Sequence, residues 1–203
     1  MKSITFEAKS LDEAKKHAEQ ELRVNRKYIT FDTEERRGML GLKKTLSVTA
    51  KVDVDLLKIG EETLQDMFEN MGIEASVKAS NPTDNEFTYE IDSNENPVLI
   101  GKNGKTLDNI QFYMRNLLNL FSDERVIVLV DVGGYKANRK KQLEILATKT
   151  AKEVAKTKVE VKLDPMNAYE RRIIHTKLAD WRDVVTKSEG ESNNRYLVIK
   201  PKK

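Results

Sequence analysis

The sequence predicts an α+β protein built from three small modules, and three observations support this prediction. The 203-residue chain is 34% charged and only 6% aromatic, so its apolar residues suit several small cores better than one large core. Helical and alternating apolar patterns follow one another in short runs. The net charge of +3 is also unevenly spread, because residues 1–52 carry +4, residues 53–133 carry −10 and residues 134–203 carry +9. This alternation indicates modules with different surfaces.

The first module, residues 1–54, has the pattern of a βαββ unit. Two alternating apolar residues mark a short strand, and Ser10 with Glu13 forms a capping box before a helix that ends near Asn25. A second strand follows at 28–31, and the segment RRGMLGLKK then supplies a turn that contains glycine. The third strand is marked by strictly alternating residues: Leu46, Val48, Ala50, Val52 and Val54.

The second module, residues 55–133, reads as helix, strand, strand, helix, helix, strand. Its first helix ends at Gly72, and two alternating segments then flank the turn NPTDN. The short segment PVLI leads through GKNGKT into a longer helix, which is followed by the apolar strand VIVLVDV. Two adjacent glycines, Gly133 and Gly134, stand where the charge changes sign. They mark the predicted boundary with the next module.

The third module, residues 134–203, is predicted to place two helices on a small sheet. A strand near 159–163 separates the helices, and Asp164 with Pro165 is predicted to start the second one, since a capping side chain precedes proline at the first position. Two short strands around SEGESNN close the chain as a hairpin. The first helix, about 135–157, is expected to bury four residues: Leu143, Leu146, Thr150 and Val154.

Composition disfavours most catalytic chemistry. With no cysteine and two histidines, the chain has no disulfide, no thiolate-ligated zinc and no credible metal ligand set, so we predict no metal and no cofactor. The segment GKT occurs at 104–106, but Leu99 stands where a phosphate-binding P-loop requires glycine. Adjacent carboxylates do not converge as an acid and a base would. We therefore expect a protein that is not an enzyme.

The amino terminus lacks the apolar core of a signal peptide, and no apolar stretch approaches the roughly 20 residues of a membrane-spanning helix. We therefore expect a cytoplasmic protein without membrane insertion.

The segment Gly101-Lys102-Asn103-Gly104 is the first candidate binding site. Its glycines let the backbone approach a phosphate beside the free amides of a helix start, although an ordinary glycine turn between helices has the same spacing. In this order of elements, about 57–133 resembles a type II KH domain, whose loop grips about four nucleotides of single-stranded RNA or DNA. The resemblance implies that these four residues form the clamp, with Lys105 and Thr106 beside it.

The same resemblance implies a groove for the bases. Ile100 and Ile110 are its candidate lining residues. The net charge of −10 on residues 53–133 departs from the usual picture, since it weakens attraction to phosphate. Lys102 and Lys105 are local exceptions.

The second candidate site is on the last helix. Arg171 and His175 are about 40° apart around it, with Arg172 nearby, and this spacing by itself is typical of a solvated face. The run MNAYERRIIH, followed by a hairpin containing SEGE, resembles the R-3-H single-stranded nucleic-acid-binding domain over about 134–203. The resemblance implies that Arg171 and His175 contact phosphate and that Arg172, Lys177 and Arg195 are neighbours. Trp181 and the scattered aromatics are expected in the core.

The segment ERRGMLGLKKT in the first module resembles the N-terminal domain of Jag proteins. The motif residues are Arg36, Arg37, Gly38, Met39, Leu40 and Gly41. Together with the KH and R-3-H resemblances, in this order, it identifies the chain as a member of the bacterial Jag family, also called the KhpB or EloR family. Family members often have a long charged linker after the first domain, whereas only a few residues near 53–56 separate the modules here.

Membership implies binding of single-stranded RNA, with single-stranded DNA left open, and post-transcriptional regulation linked to cell elongation and division. It also implies a small KH-domain partner protein, with a homodimer as a further option. The alternative is a protein–protein interaction scaffold at the cell-division or membrane-insertion machinery that binds nucleic acid only weakly.

Overall fold

The computed structural model describes residues 2–37 and 44–202. The chain forms two compact units, Met1–Gly133 and Gly134–Lys203. Within the described ranges the fold is α+β with three three-stranded sheets, which confirms the predicted fold class. The motif residues Gly38, Met39, Leu40 and Gly41 lie outside the described residues.

The first part of unit 1 is the predicted βαββ arrangement, in which an antiparallel sheet has the order β1-β3-β2. Ser10 caps the helix by accepting a hydrogen bond from the amide of Glu13. The helix ends three residues before Asn25, because Arg23 takes a left-handed conformation with φ 56° and stops it. The four elements are β1 (Ser3–Ala8), α1 (Leu11–Leu22), β2 (Ile29–Arg37) and β3 (Lys44–Val52).

The second part of unit 1 has the predicted αββααβ order. The six elements are α2 (Leu56–Asn70), β4 (Ala75–Thr83), β5 (Glu86–Ser93), α3 (Asn96–Ile100), α4 (Lys105–Phe121) and β6 (Ile127–Val132). Its sheet has the order β4-β5-β6, in which β4 is antiparallel and β6 parallel to the central β5. The parallel pair requires a crossover, and α3 and α4 supply it. The loop between these two helices carries the first candidate site.

Helix α2 packs against this sheet at Gly60. A Cβ atom there would lie 1.9 Å from the hydroxyl oxygen of Tyr89, whose side chain is fully buried. The hydroxyl donates to the carbonyl oxygens of Leu56 and Leu57, each at 3.3 Å. Burial raises the pKa of Tyr89. The absence of a side chain at Gly60 therefore sets how closely the helix approaches β5.

The two parts of unit 1 share apolar contacts. Phe121, at the end of α4, belongs to the same buried cluster as Leu22 and Val52. Its ring meets the ring of Tyr28 edge to face, with centroids 5.1 Å apart. This contact joins the end of α4 to the first sheet, so the small βαββ part does not bury its apolar surface alone.

Unit 2 places two helices on an antiparallel sheet of order β7-β9-β8. Its core includes Leu143, Ala147 and Ala151 on α5. Leu146 was predicted to be buried but is 40% exposed, because the buried stripe advances in steps of three and four residues through Ala147. The five elements are α5 (Tyr135–Thr157), β7 (Val161–Lys162), α6 (Ala168–Leu178), β8 (Val184–Glu189) and β9 (Tyr196–Pro201).

The start of α6 also differs from the prediction. The helix does not begin at Asp164 and Pro165, since its N-cap is Asn167. Asn167 accepts a hydrogen bond from the amide of Glu170, and Glu170 accepts one from the amide of Asn167. This capping box satisfies two terminal amides at once and outweighs the signal from a capping side chain followed by proline.

Candidate nucleic-acid interface

The loop between α3 and α4 has a backbone path that requires glycine. Gly101 has φ 69° and ψ −178°, a region that is essentially restricted to glycine. Lys102–Gly104 then forms a single 3₁₀ turn in which Asn103 has φ 53° and Gly104 has φ 76°. Three of these four residues have positive φ, which the two glycines and an asparagine accommodate at low cost.

Thr106 holds this loop closely from the other side. A Cβ atom on Gly101 would lie 2.1 Å from Oγ1 of Thr106 and 3.0 Å from its backbone nitrogen. Thr106 is half-buried, and its side chain lies against Gly101. Helix α4 then starts after Gly104 without a side-chain cap. Its first turn carries the positive end of the helix dipole.

The predicted side chains around this loop differ in exposure. Lys102 and Lys105 are exposed, and Asn103 is half-buried. Of the two candidate groove residues, Ile100 is half-buried and Ile110 is only 7% exposed. The loop therefore presents two cations and its backbone, while Ile110 belongs mainly to the interior.

The second candidate site lies where α6 meets the β8–β9 hairpin. Arg171 donates from Nη1 to the carbonyl oxygen of Met166 at 2.6 Å, and Nδ1 of His175 is hydrogen-bonded to the hydroxyl of Thr186. These bonds fix both side chains at the rim of a shallow depression of about 360 Å³. The depression is lined by Arg171, Arg172, His175, Thr186, Ser188, Arg195 and Leu197.

The structure thus brings four predicted residues together: Arg171, Arg172, His175 and Arg195. The fourth comes from the hairpin, where its Nε donates to Ser188 Oγ at 3.2 Å. Lys177 does not line this depression but faces the groove between α6 and α5. Three guanidinium groups at one rim make a site suited to phosphate, since each offers several N–H donors.

Tyr169 is a candidate nucleic-acid-binding residue that the sequence patterns did not identify. The aromatics were expected in the core, and Trp181 does pack against the core of unit 2. That expectation is wrong for three others, since Tyr169 is 63% exposed, Phe112 58% and Tyr113 47%. The position of Tyr169 on a helical wheel indicates its exposure, because it lies three residues before the exposed Arg172 and on a different face from the buried Ile174.

The described ranges, 2–37 and 44–202, contain neither a metal-binding cluster nor a membrane-spanning helix. They contain no group of three or more histidine, aspartate or glutamate residues that could hold a metal ion. No helix within them combines the length and apolar character needed to cross a membrane.

Comparisons with known proteins cover the whole chain. The sequence profile of the R-3-H domain matches residues 141–201. "RNA-binding protein KhpB" of Clostridium symbiosum is 36% identical over 208 residues, which span 100% of this chain and 93% of that protein. The protein of the same name in Bacillus subtilis (strain 168) is 33% identical over 211 residues, or 100% of both chains. A third, from Lactiplantibacillus plantarum, is 38% identical over 112 residues, which span 55% of this chain and 35% of that protein.

Proposed function

Because this chain belongs to the KhpB family, also called the Jag family, we propose that it is a non-enzymatic protein that binds single-stranded RNA. The observation that carries the proposal is the convergence of Arg171, His175 and Arg195 around one depression in unit 2. The residues described as lining this depression include no carboxylate, and the unit as a whole has a net charge of +9. Phosphate contacts of this kind supply affinity that falls with salt.

The loop at Gly101–Gly104 is proposed as a second point of attachment. Its backbone and the uncapped start of α4 suit a phosphate, and Lys102 and Lys105 add positive charge. The surrounding module has a net charge of −10, which opposes long-range attraction of RNA. We therefore assign the loop short-range contacts and modest sequence preference.

Two attachments in one chain raise the apparent affinity, because the second contact forms at the effective concentration set by the first. In this proposal residues 1–54 are the Jag N-terminal domain, 55–133 the KH domain and 134–203 the R-3-H domain. The biological role that we propose for the chain is post-transcriptional regulation linked to cell elongation and division, with a small KH-domain protein as partner.

The test measures binding of a fluorescent single-stranded RNA to the full chain by anisotropy. One variant combines Lys102→Asp with Asn103→Asp, and another combines Arg171→Ala with His175→Ala. We expect each to weaken binding and the four-fold variant to weaken it further. The control is Lys58→Glu with Gln65→Glu on the exposed face of α2, which changes the net charge by the same amount as the loop variant.

Several outcomes would contradict the proposal. Absence of RNA binding by the unaltered chain would reject the function and favour the interaction scaffold. If the α2 control and the loop variant lose RNA affinity equally, the effect is due to net charge and not to the loop. Tighter binding of single-stranded DNA than of single-stranded RNA of the same length would contradict the assignment of RNA as the ligand.

A further inference from the structure

A continuous run of cations crosses α6 and continues along one face of α5. Three adjoining depressions carry it, with volumes of about 360, 410 and 570 Å³. The first and second share Arg172, and the second and third share Glu144 and Lys177. We call this surface the α5–α6 track. Its cations are Lys140, Lys141, Lys149, Lys152, Arg171, Arg172, Lys177 and Arg195.

The charge of the track is strongly one-sided. Among the described residues that line it, Glu144 is the sole carboxylate, against eight cations. Elsewhere in the same unit the lysines do pair, as where Lys200 contacts both Glu160 and Glu189. The positive potential along α5 is therefore not cancelled locally, and it suits a polyanion.

Two exposed apolar side chains interrupt the cations. Tyr169 is 63% exposed beside Arg172 and Lys177, and Ile145 is 69% exposed between Lys141 and Lys149. An inorganic anion gains nothing from an aromatic ring at this position. A single strand of nucleic acid does, because its bases stack on such rings while its phosphates meet the cations.

We propose that single-stranded RNA extends from the Arg171–His175 depression over Tyr169 and along α5, with Lys149 and Lys152 binding its distal phosphates. This inference rests on the proposed function and extends its site. Lys141 and Lys152 are about 16 Å apart along the helix axis, at 1.5 Å per residue. The track therefore accommodates a longer strand than the depression alone, and affinity should rise with RNA length until the strand reaches Lys152.

The experiment compares the full chain with its Lys149→Gln, Lys152→Gln variant on single-stranded oligouridylates of increasing length. We expect the variant to bind the shortest RNAs as the unaltered chain does and to lose the gain from added length. Each phosphate contact contributes about 0.7 to the salt slope of single-strand binding, so the slope should fall by about 1.4. Raising salt from about 50 to about 200 mM should then weaken the variant about sevenfold less.

The matched control is Lys162→Gln with Lys187→Gln, which removes the same charge from β7 and β8. Neither residue lines the track, so the gain with length should be retained. A second probe is Tyr169→Ala, which should weaken binding of the longer strands about fivefold or more, whereas Tyr169→Phe should not. Lys162, Lys187 and Tyr169 are all exposed, so these substitutions should not disturb folding.

The outcomes separate this inference from the function on which it rests. Failure of the unaltered chain to bind any single-stranded RNA overturns both. Normal binding with the same length dependence and salt slope in the Lys149→Gln, Lys152→Gln variant overturns the track alone. Poly-glutamate serves as a probe for an acidic protein partner. If the Lys149→Gln, Lys152→Gln variant keeps its RNA binding but loses binding of poly-glutamate, the α5 face binds an acidic protein instead. Tighter binding of duplex RNA than of single-stranded RNA by the unaltered chain would also contradict the proposal.

Discussion

Arg139 on α5 and Glu170 on α6 form a partly buried ion pair, with Arg139 Nε 2.7 Å from Glu170 Oε1. Glu170 is only 5% exposed, and its other carboxylate oxygen accepts the amide hydrogen of Asn167 in the capping box. One side chain thus ties α6 to α5 and also fixes the first residues of α6. Arg171 follows directly, so the ion pair positions the candidate phosphate site without contacting it.

Removal of Arg139 should destabilise unit 2. In Arg139→Ala the carboxylate of Glu170 stays buried without its cation, and breaking a buried pair in this way costs about 3 kcal/mol. Trp181 is the single tryptophan of the chain and packs against the core of unit 2. Its fluorescence during urea unfolding therefore reports the stability of this unit.

The exposed Lys149→Ala is the control, and it should change the free energy of unfolding by less than about 0.5 kcal/mol. The variant Glu170→Gln with Arg139→Ala should recover part of the loss, because no uncompensated charge is then buried. Equal stability of Arg139→Ala and the unaltered chain would show that the pair contributes nothing to the docking of α6.

The ion pair between Lys200 and Glu189 predicts a pH dependence in the hairpin. The hydrogen bond from Lys200 Nζ, at 2.9 Å, holds the pKa of Glu189 below its ordinary value of 4.5. A carboxyl group with a lowered pKa stabilises the fold above its ordinary pKa, and this contribution is lost as the pH falls through the lowered value. Lys200→Met should therefore raise the pKa of Glu189, measured by carbon-detected NMR titration.

Lys202→Met removes the same charge two residues away and should leave the pKa of Glu189 lower than in Lys200→Met. If the two variants shift it equally, net charge and not the hydrogen bond is responsible.

Local patterns predicted most of the elements, while contacts between distant segments could not be predicted. The order βαββ, then αββααβ, follows from apolar periodicity and turn residues that act within a few positions. The contact of Tyr28 with Phe121 joins residues far apart in sequence, and no local pattern specifies it. For the same reason the ion pair of Arg139 with Glu170 was not predicted.

The site was predicted in part. The spacing of Arg171 and His175 placed both on one face of α6. Arg195 was named only through the R-3-H resemblance, because its position beside them depends on how the hairpin packs on α6. The start of α6 was misplaced because Asp164 with Pro165 competed with the capping box of Asn167. Tyr169 was assigned to the core by residue type, although its position on the wheel favours exposure.

Substitution of Gly60 should reverse the usual effect of alanine in a helix. Alanine normally stabilises a helix interior by about 1 kcal/mol relative to glycine. Here its Cβ would meet the hydroxyl oxygen and ring of Tyr89 at 1.9 and 2.4 Å. We expect Gly60→Ala to destabilise unit 1 by about 1–3 kcal/mol, measured by thermal unfolding followed by circular dichroism.

Tyr89→Phe provides the coupling test. Alone it removes the bonds to the carbonyls of Leu56 and Leu57 and should cost about 1 kcal/mol. Combined with Gly60→Ala it also removes the closest clash, so the double variant should be more stable than the sum of the single changes. Strict additivity would mean that the helix moves away from β5 instead.

We expect that position 101 tolerates no side chain, whether residue 106 is threonine or alanine. Gly101→Ala places a Cβ 2.1 Å from Thr106 Oγ1 and forces alanine into a backbone region that costs on the order of 1–3 kcal/mol. Thr106→Ala removes the hydroxyl clash but leaves the φ of 69° and the contact with the backbone nitrogen. The double variant should therefore bind single-stranded RNA as weakly as Gly101→Ala, whereas Asn103→Gly should keep both the loop shape and the affinity. Fluorescence anisotropy measures the binding. Amide NMR shift changes confined to residues 99–108 would show that the rest of unit 1 is folded. Recovery of affinity in the double variant would show that the Thr106 contact, and not the backbone conformation, makes glycine necessary.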